Sequence, residues 1–462
     1  MASVPAGLQR IKQDIQQYVS ELTILAICQK LGYRWRQRQL GPVQTIHWFI
    51  LQVLNFNTAM SGLRHLSDAA VKASAYCKAR MRLPLAVLQE LLVESSTAMC
   101  RGCSSPEGLW WGLRAYLVDG SSTIAPDTPC SQKRFGQPRG CKKGCGFPVP
   151  KVLGLFDAFS GLLIQALGFP LYTHEQSKVW MLHPLLSVGD LLVGDRGFCS
   201  YVHLRMLFSR GIHGLFRIHQ KLIVDFRPFR KHRQGYGKGR KRKCKRNQKR
   251  RPTPRSRYIK RLGKRDQIVE WFKPKAQPKW MSKKQFAQLP ESLQVRELRF
   301  MLTRKGQRTV QITLATTLLD PILYPKEKIL ELYGVRWRVE THFAQLKTTM
   351  RMRKLKSQTA EGVLKELVIY ALVYNLIHLV MLRAAQRQRV DPDRISFIDT
   401  MRWLLGSRQE QLPDLLTHPR RPDRHEPRVV KDREDTYTKM TRPRAQLRKE
   451  LRCKEDTIKR LK

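Results

Sequence analysis

Residues 333–347 read "YGVRWRVETHFAQLK". The stretch has helical texture, because Val335, Val339, Phe343 and Leu346 recur at three- and four-residue spacing and form one apolar arc. Beside that arc stand Tyr333, Arg336, Glu340 and Lys347, at offsets of 0, 3, 7 and 14. At about 100° per residue these four side chains share a stripe roughly 60° wide. A helix that lines up a phenol, a guanidinium, a carboxylate and an ammonium either shows a polar face to water or forms one wall of a site.

Upstream, strand and helix patterns alternate. "GLRAYLVDGSST" reads as a strand over 115–118 that runs into a turn at Asp119-Gly120. "KVLGLFDAFSGLLIQALGFP" reads as a hairpin turned at Ser160-Gly161. A helix ending near Ser187, a buried strand over 191–193 ending at Asp195, a helix from about Tyr201 and the strand "GLFRIHQ" complete a β/α pattern. Asp119 and Asp195 thus sit at strand ends followed by glycine, where a carboxylate can reach a ligand. Together with Glu340 they offer an oxygen-only donor set suited to two hard divalent cations. Read singly, each is ordinary. Asp119-Gly120 and Asp195-Arg196-Gly197 are also turn sequences, and Arg336 with Glu340 is also an i,i+4 surface pair.

Charge narrows the choice. The 462 residues carry 87 Lys plus Arg against 36 acids, a formal +51. Such a field attracts phosphate backbones, and paired Mg²⁺ suits phosphodiester chemistry. Ribosome-like coating and acidic-membrane binding are the plainer readings of the same charge. A hydrophobic share of 42 % rules out disorder throughout. "LVIYALVYNLIHLVMLRAA" (367–385) comes nearest to a bilayer span but contains Asn375, His378 and Arg383, so a buried core helix is expected. The first residues lack an apolar signal core, and the ten cysteines are expected to be reduced. Cys100-x2-Cys103 and Cys141-x3-Cys145 have loose zinc spacing, with free thiols the preferred reading.

Residues 1–105 read as a helical N-terminal DNA-binding unit, with Arg80 and Arg82 at its basic edge before Pro84. Residues 106–220 read as the first part of an α/β core, and 221–324 as a β-rich insertion. Within it, 227–265 holds twenty Lys or Arg in 39 positions and no acid, which reads either as an arm touching DNA through Arg240, Lys241, Arg242, Lys243, Lys245 and Arg246 or as a disordered, non-specific polybasic loop. Residues 325–390 return to helix as the second part of the core, and 391–462 form a basic tail.

The stripe follows Y-x2-R-x3-E-x6-K and resembles the signature of the insertion-sequence-4 family of DDE transposases. "VDGSS" and "GDRGFCSY" resemble that family's two aspartate motifs, and the likeness extends over most of 45–405 through "YCKARMRLP", "DTPCSQKRFGQP" and "KLKSQTAEGVLKEL". The resemblance implies an α/β, RNase H-like mixed-sheet core with helical regions on either side. It implies Asp119, Asp195 and Glu340 as catalytic and metal-binding residues for two Mg²⁺, with Mn²⁺ as a substitute. Tyr333, Arg336 and Lys347 would bind DNA phosphates, and Trp337 would hold a flipped base or, alternatively, pack in the core. Terminal inverted repeats, target DNA and a second copy of the chain are the implied partners, in a prokaryotic cytoplasm with no membrane.

Overall fold

A computed structural model of the chain describes residues 17–37, 39–66, 72–102, 109–232, 253–302, 310–406, 412–418, 442–443 and 446–453. Helices α1 (Glu21–Lys30), α2 (Pro42–Leu54), α3 (Ala73–Arg82) and α4 (Leu85–Gly102) make up the N-terminal part. Ser20 caps α1 by accepting from the Thr23 amide, and Pro42 sits in the first turn of α2. Nearly all of α2 is buried, which makes it an interior helix.

The chain continues through β1 (Ala115–Ser122), α5 (Pro129–Phe135), β2 (Lys151–Asp157), β3 (Leu163–Phe169) and β4 (Leu191–Gly194). Next come α6 (Tyr201–Phe208), β5 (His213–Arg217), β6 (Arg257–Gly263), β7 (Asp266–Phe272), α7 (Lys283–Ala287), β8 (Ser292–Leu302) and β9 (Val310–Thr316). These strands form one mixed sheet in the order β3-β2-β1-β4-β5-β9-β8-β7-β6. Strands β4 and β5 run parallel to β1, whereas β2, β3 and the strands from β9 to β6 pair antiparallel with their neighbours. Strands β6 to β9 therefore extend the sheet through the β5–β9 pairing.

Helices α8 (Lys326–Val335), α9 (Arg338–Ala344), α10 (Ala360–Gln388) and α11 (Phe397–Gly406) follow. α10 is the expected core helix: it is long and apolar enough to cross a membrane by composition, yet 89 % of its apolar window is buried inside the fold. It packs on α2, α4 and β3. Asn375 satisfies both backbone groups of Leu163 at 2.8 Å. Lys365 donates to the last carbonyls of α3, and Glu366 accepts from Asn57 and from the amides of Lys356 and Ser357. One continuous apolar core thus joins the N-terminal helices to the sheet.

Several sequence expectations are corrected. β1 does not turn at Asp119-Gly120; it runs on to Ser122, because β2 pairs it throughout, Asp119 opposite Gly154. The helix expected before Ser187 is two short 3₁₀ segments, Glu175–Ser177 and Val179–Leu185, the second containing Pro184. Helix is not continuous from 325 to 386. It pauses at Arg336 and Trp337 and stops at Met350, where 350–359 bonds across to Thr123 and Ile124. The basic arm is not all loop: 257–263 is β6, paired with β7.

Candidate active site

Strand pairing brings the two aspartates together. β1 and β4 are parallel neighbours with Val118 opposite Gly194, so Asp119 and Asp195 are the next residues along each strand. Asp119 Oδ1 accepts its neighbour Gly120 N–H at 2.8 Å, and Oδ2 lies 3.4 Å from Arg336 Nη1. Burial pushes the Asp119 carboxyl above its usual range; the Gly120 amide and Arg336 pull it back, while Asp195 and Glu175 add to the rise. Asp195 Oδ1 is buried and has no hydrogen-bond partner.

The third carboxylate comes from α9. Val339 and Phe343 bury the helix's inner side, with Phe343 set edge-on to Phe156 of β2 at 5.4 Å. His342 stacks on Phe156 at 5.3 Å, and burial lowers its pKa to about 4, so it is a neutral ring that anchors the helix. Glu340 points outward, its side chain 55 % exposed, with Oε1 3.6 Å from Arg336 Nη2. Arg336, only 6 % exposed, therefore stands between Asp119 and Glu340. Its guanidinium also lies over Trp337 at 4.8 Å and Tyr333 at 5.7 Å.

Tyr333 is buried with its hydroxyl unpaired, and burial pushes the phenol up to about 12, with Asp195 adding and Arg336 opposing. Trp337 is 48 % exposed, which excludes the core-packing reading. Lys347 lies outside this network, on the π-helical segment Gln345–Thr349, its ammonium pKa lowered by burial and by Arg353. The ideal stripe is distorted because the amides of Arg336, Trp337 and Glu340 bond three residues back, which tightens the turn, while the π segment widens the next.

Other residues enter that the sequence did not single out. Glu175 holds its carboxylate over Gly120, where an added Cβ would come within 2.4 Å of Glu175 Cδ, and it pairs with Lys151 at 3.6 Å. A cavity of about 220 Å³ is lined by Arg196, which follows Asp195 in the chain, and by Arg217, His219 and Arg299. In the N-terminal part, Arg80 is not a surface contact. It is buried, stacks over Phe49 at 3.6 Å and bonds Gln52 and Ser357, so it is a strut between α2, α3 and the core. Arg82 is exposed and lines a cleft of about 350 Å³ with Arg34, Arg36, Tyr33 and Trp35. Cys100 is buried, whereas Cys141 is exposed and Cys145 half-buried; Cys103 and the arm residues Arg240, Lys241, Arg242, Lys243, Lys245 and Arg246 lie outside the described residues.

The donor chemistry fits hard cations: three carboxylates, one with a buried oxygen left unpaired. Their arrangement is not yet a chelate, since among the described residues no three His, Cys, Asp or Glu side chains converge on one point.

The family described as "Transposase DDE domain" matches residues 110–376, which include β1, β4 and α9. The "Transposase InsG for insertion sequence element IS4" of Escherichia coli (strain K12) is 26 % identical over 388 residues, covering 79 % of this chain and 78 % of that protein. A cryo-EM structure of a piggyBac transposase synaptic complex with hairpin DNA aligns with 86 % of this chain and 79 % of its own, at 11 % identity and a TM-score of 0.39, too loose to add to the assignment. The family match, over more than half of the chain, makes the protein a DDE transposase, an enzyme class that cleaves and transfers DNA and generally uses divalent metal. Within that class the chain belongs to the insertion-sequence-4 family.

Proposed function

We propose that the protein binds the terminal inverted repeats of its own insertion sequence, pairs two ends as a homodimer, and cuts and joins DNA in a prokaryotic cytoplasm. What carries the reading is the β1–β4 pairing, which sets Asp119 beside Asp195, with Arg336 linking Asp119 to Glu340. Strands β3-β2-β1-β4-β5 are read as the RNase H-like core, 1–105 as the end-binding part, 221–324 as the insertion, 325–390 as the core's helical part and 391–462 as a basic tail.

Asp119, Asp195 and Glu340 would hold the metal. Divalent cations, two Mg²⁺ with Mn²⁺ as a substitute, supply a lowered pKa for the attacking water and charge stabilisation at the leaving oxygen. Tyr333, Arg336 and Lys347 orient the phosphate being attacked, and Trp337 offers an exposed ring to a base. Water attacks phosphorus, the bond to the 3′ oxygen breaks, and a 3′-hydroxyl and a 5′-phosphate result. That hydroxyl then attacks a target phosphodiester in line, one P–O bond forming as another breaks. Arg34, Arg36 and Arg82, beside Tyr33 and Trp35, grip end DNA.

The test uses a supercoiled plasmid carrying the gene's flanking DNA, purified protein and Mg²⁺. Nicks and joined products at paired repeat ends that disappear in Glu340→Gln and Asp119→Asn are expected. Tight, salt-sensitive binding without cutting by any of the three proteins, even in Mn²⁺, would move the chain to a catalytically inactive DNA-binding copy.

A further inference from the structure

Two buried arginines in this protein meet aspartates very differently. Arg296 holds Asp266 through Nε at 2.9 Å and Nη2 at 2.6 Å, with Nη1 on the Tyr324 carbonyl at 2.7 Å. That is a locked, two-pronged pair. Arg336 is equally hidden, yet it reaches Asp119 at 3.4 Å and Glu340 at 3.6 Å, both longer than a good charge-assisted bond, and its Nε has no partner. It spans two carboxylates without locking onto either.

We propose that Arg336 is a resident cation of the DNA-free site, one that divalent metal must displace from between Asp119 and Glu340. The inference deepens the proposed function and rests on its metal-binding reading. Three further observations support it. The carboxylates do not converge while the guanidinium stands among them. The exit is prepared, because the guanidinium already lies 4.8 Å from the half-exposed Trp337 ring, a shelf on which a cation can rest. The backbone also has a joint there: α8 ends and α9 begins on either side of Arg336 and Trp337, with amides bonded three residues back instead of four. Once displaced, the same guanidinium is free for a DNA phosphate. In this way one positive charge neutralises the acids before metal arrives and the substrate afterwards.

The displacement can be read without any DNA or activity. Binding of Mn²⁺ to the full chain would be followed by loss of the free-ion electron paramagnetic resonance signal, for the wild type, Arg336→Gln, Arg336→Lys and Asp195→Asn. Removing a like charge beside the site should tighten Mn²⁺ binding by about tenfold in Arg336→Gln. Arg336→Lys, which keeps the charge, should stay near the wild type, and Asp195→Asn should lose the site. Equal or weaker binding by Arg336→Gln, with binding still dependent on Asp195, overturns the displacement. No Asp195-dependent binding in any protein overturns the metal-site reading itself. A second measurement needs no change at Arg336: Mg²⁺ titration of tryptophan emission, with Trp337→Phe subtracted. Emission from Trp337 should shift with the same midpoint as metal binding. A flat Trp337 signal while metal binds also overturns the proposal.

Discussion

At the scale of single residues, Arg296 shows what a permanent ion pair costs to break. It is fully buried with Asp266, and its remaining donors are used on backbone carbonyls. Arg296→Met leaves Asp266 charged and alone inside the protein, so a loss of about 3–5 kcal/mol is expected from the urea midpoint. Arg227, itself exposed, pairs with a half-buried Asp225, and Arg227→Ala should lower that midpoint by far less than Arg296→Met does. A pair of histidines gives the pH dependence. His183 and His203 stack and share one Nε2–Nε2 hydrogen bond of 3.0 Å, and burial lowers their pKa values to about 2 and about 4. Both folded values lie below the ordinary 6.5, so their contribution is present above pH 6.5 and is lost as pH falls through the folded values. Wild-type stability should therefore drop below pH 6.5. A His183→Leu, His203→Leu protein, though less stable at pH 7, should lose less between pH 6.5 and 4 in the same urea series.

At the scale of elements, α9 carries Glu340 only because β2 receives it. Gly154 pairs with Asp119 and lies beneath two rings; a Cβ there would stand 2.6 Å from Phe156 and 3.2 Å from Phe343. Rings packed in a core cannot give way cheaply, so Gly154→Ala should cost about 1–3 kcal/mol and shift α9 off the sheet. Cleavage should fall further than stability alone explains, when assayed well below the melting temperature. Gly120→Ala is the contrast, since the obstacle there is the flexible end of Glu175 and a small stability change is expected. The same elements show where sequence reading reaches. The strand ending at Asp195, the hairpin at Ser160-Gly161 and the buried α10 follow local patterns, and the structure has them. What was missed depends on distant partners. β1 passes through Asp119-Gly120 because β2 pairs it, the 350–359 break bonds to Thr123 and Ile124, and Arg80 is drawn inside by Gln52 and Ser357. The helix stripe was legible in type but not in shape, because a tightened turn and a π turn are not visible in residue spacing.

At the scale of the whole molecule, a formal +51 guarantees attraction to DNA without saying where it is gripped. Salt dependence separates the general field from specific contacts, because each phosphate neutralised lowers log K by about 0.9 per decade of salt on duplex DNA. The cleft of Tyr33, Trp35, Arg34, Arg36 and Arg82 is the sharpest local candidate, since none of its three arginines has an acidic partner among the described residues. Arg34→Ala with Arg82→Ala removes two such contacts from a protein that keeps dozens of basic residues. If the cleft holds the backbone, the slope of log K against log salt for repeat-end DNA should shrink by about 1.8, measured by fluorescence anisotropy. Mn²⁺ binding at the carboxylates should not change, because the substitutions lie on the helical part and not on β1, β4 or α9. An unchanged slope would mean that the arginines face solvent on the DNA-bound protein. End recognition would then have to come from another basic surface, with the cavity lined by Arg196, Arg217 and Arg299 the first to test.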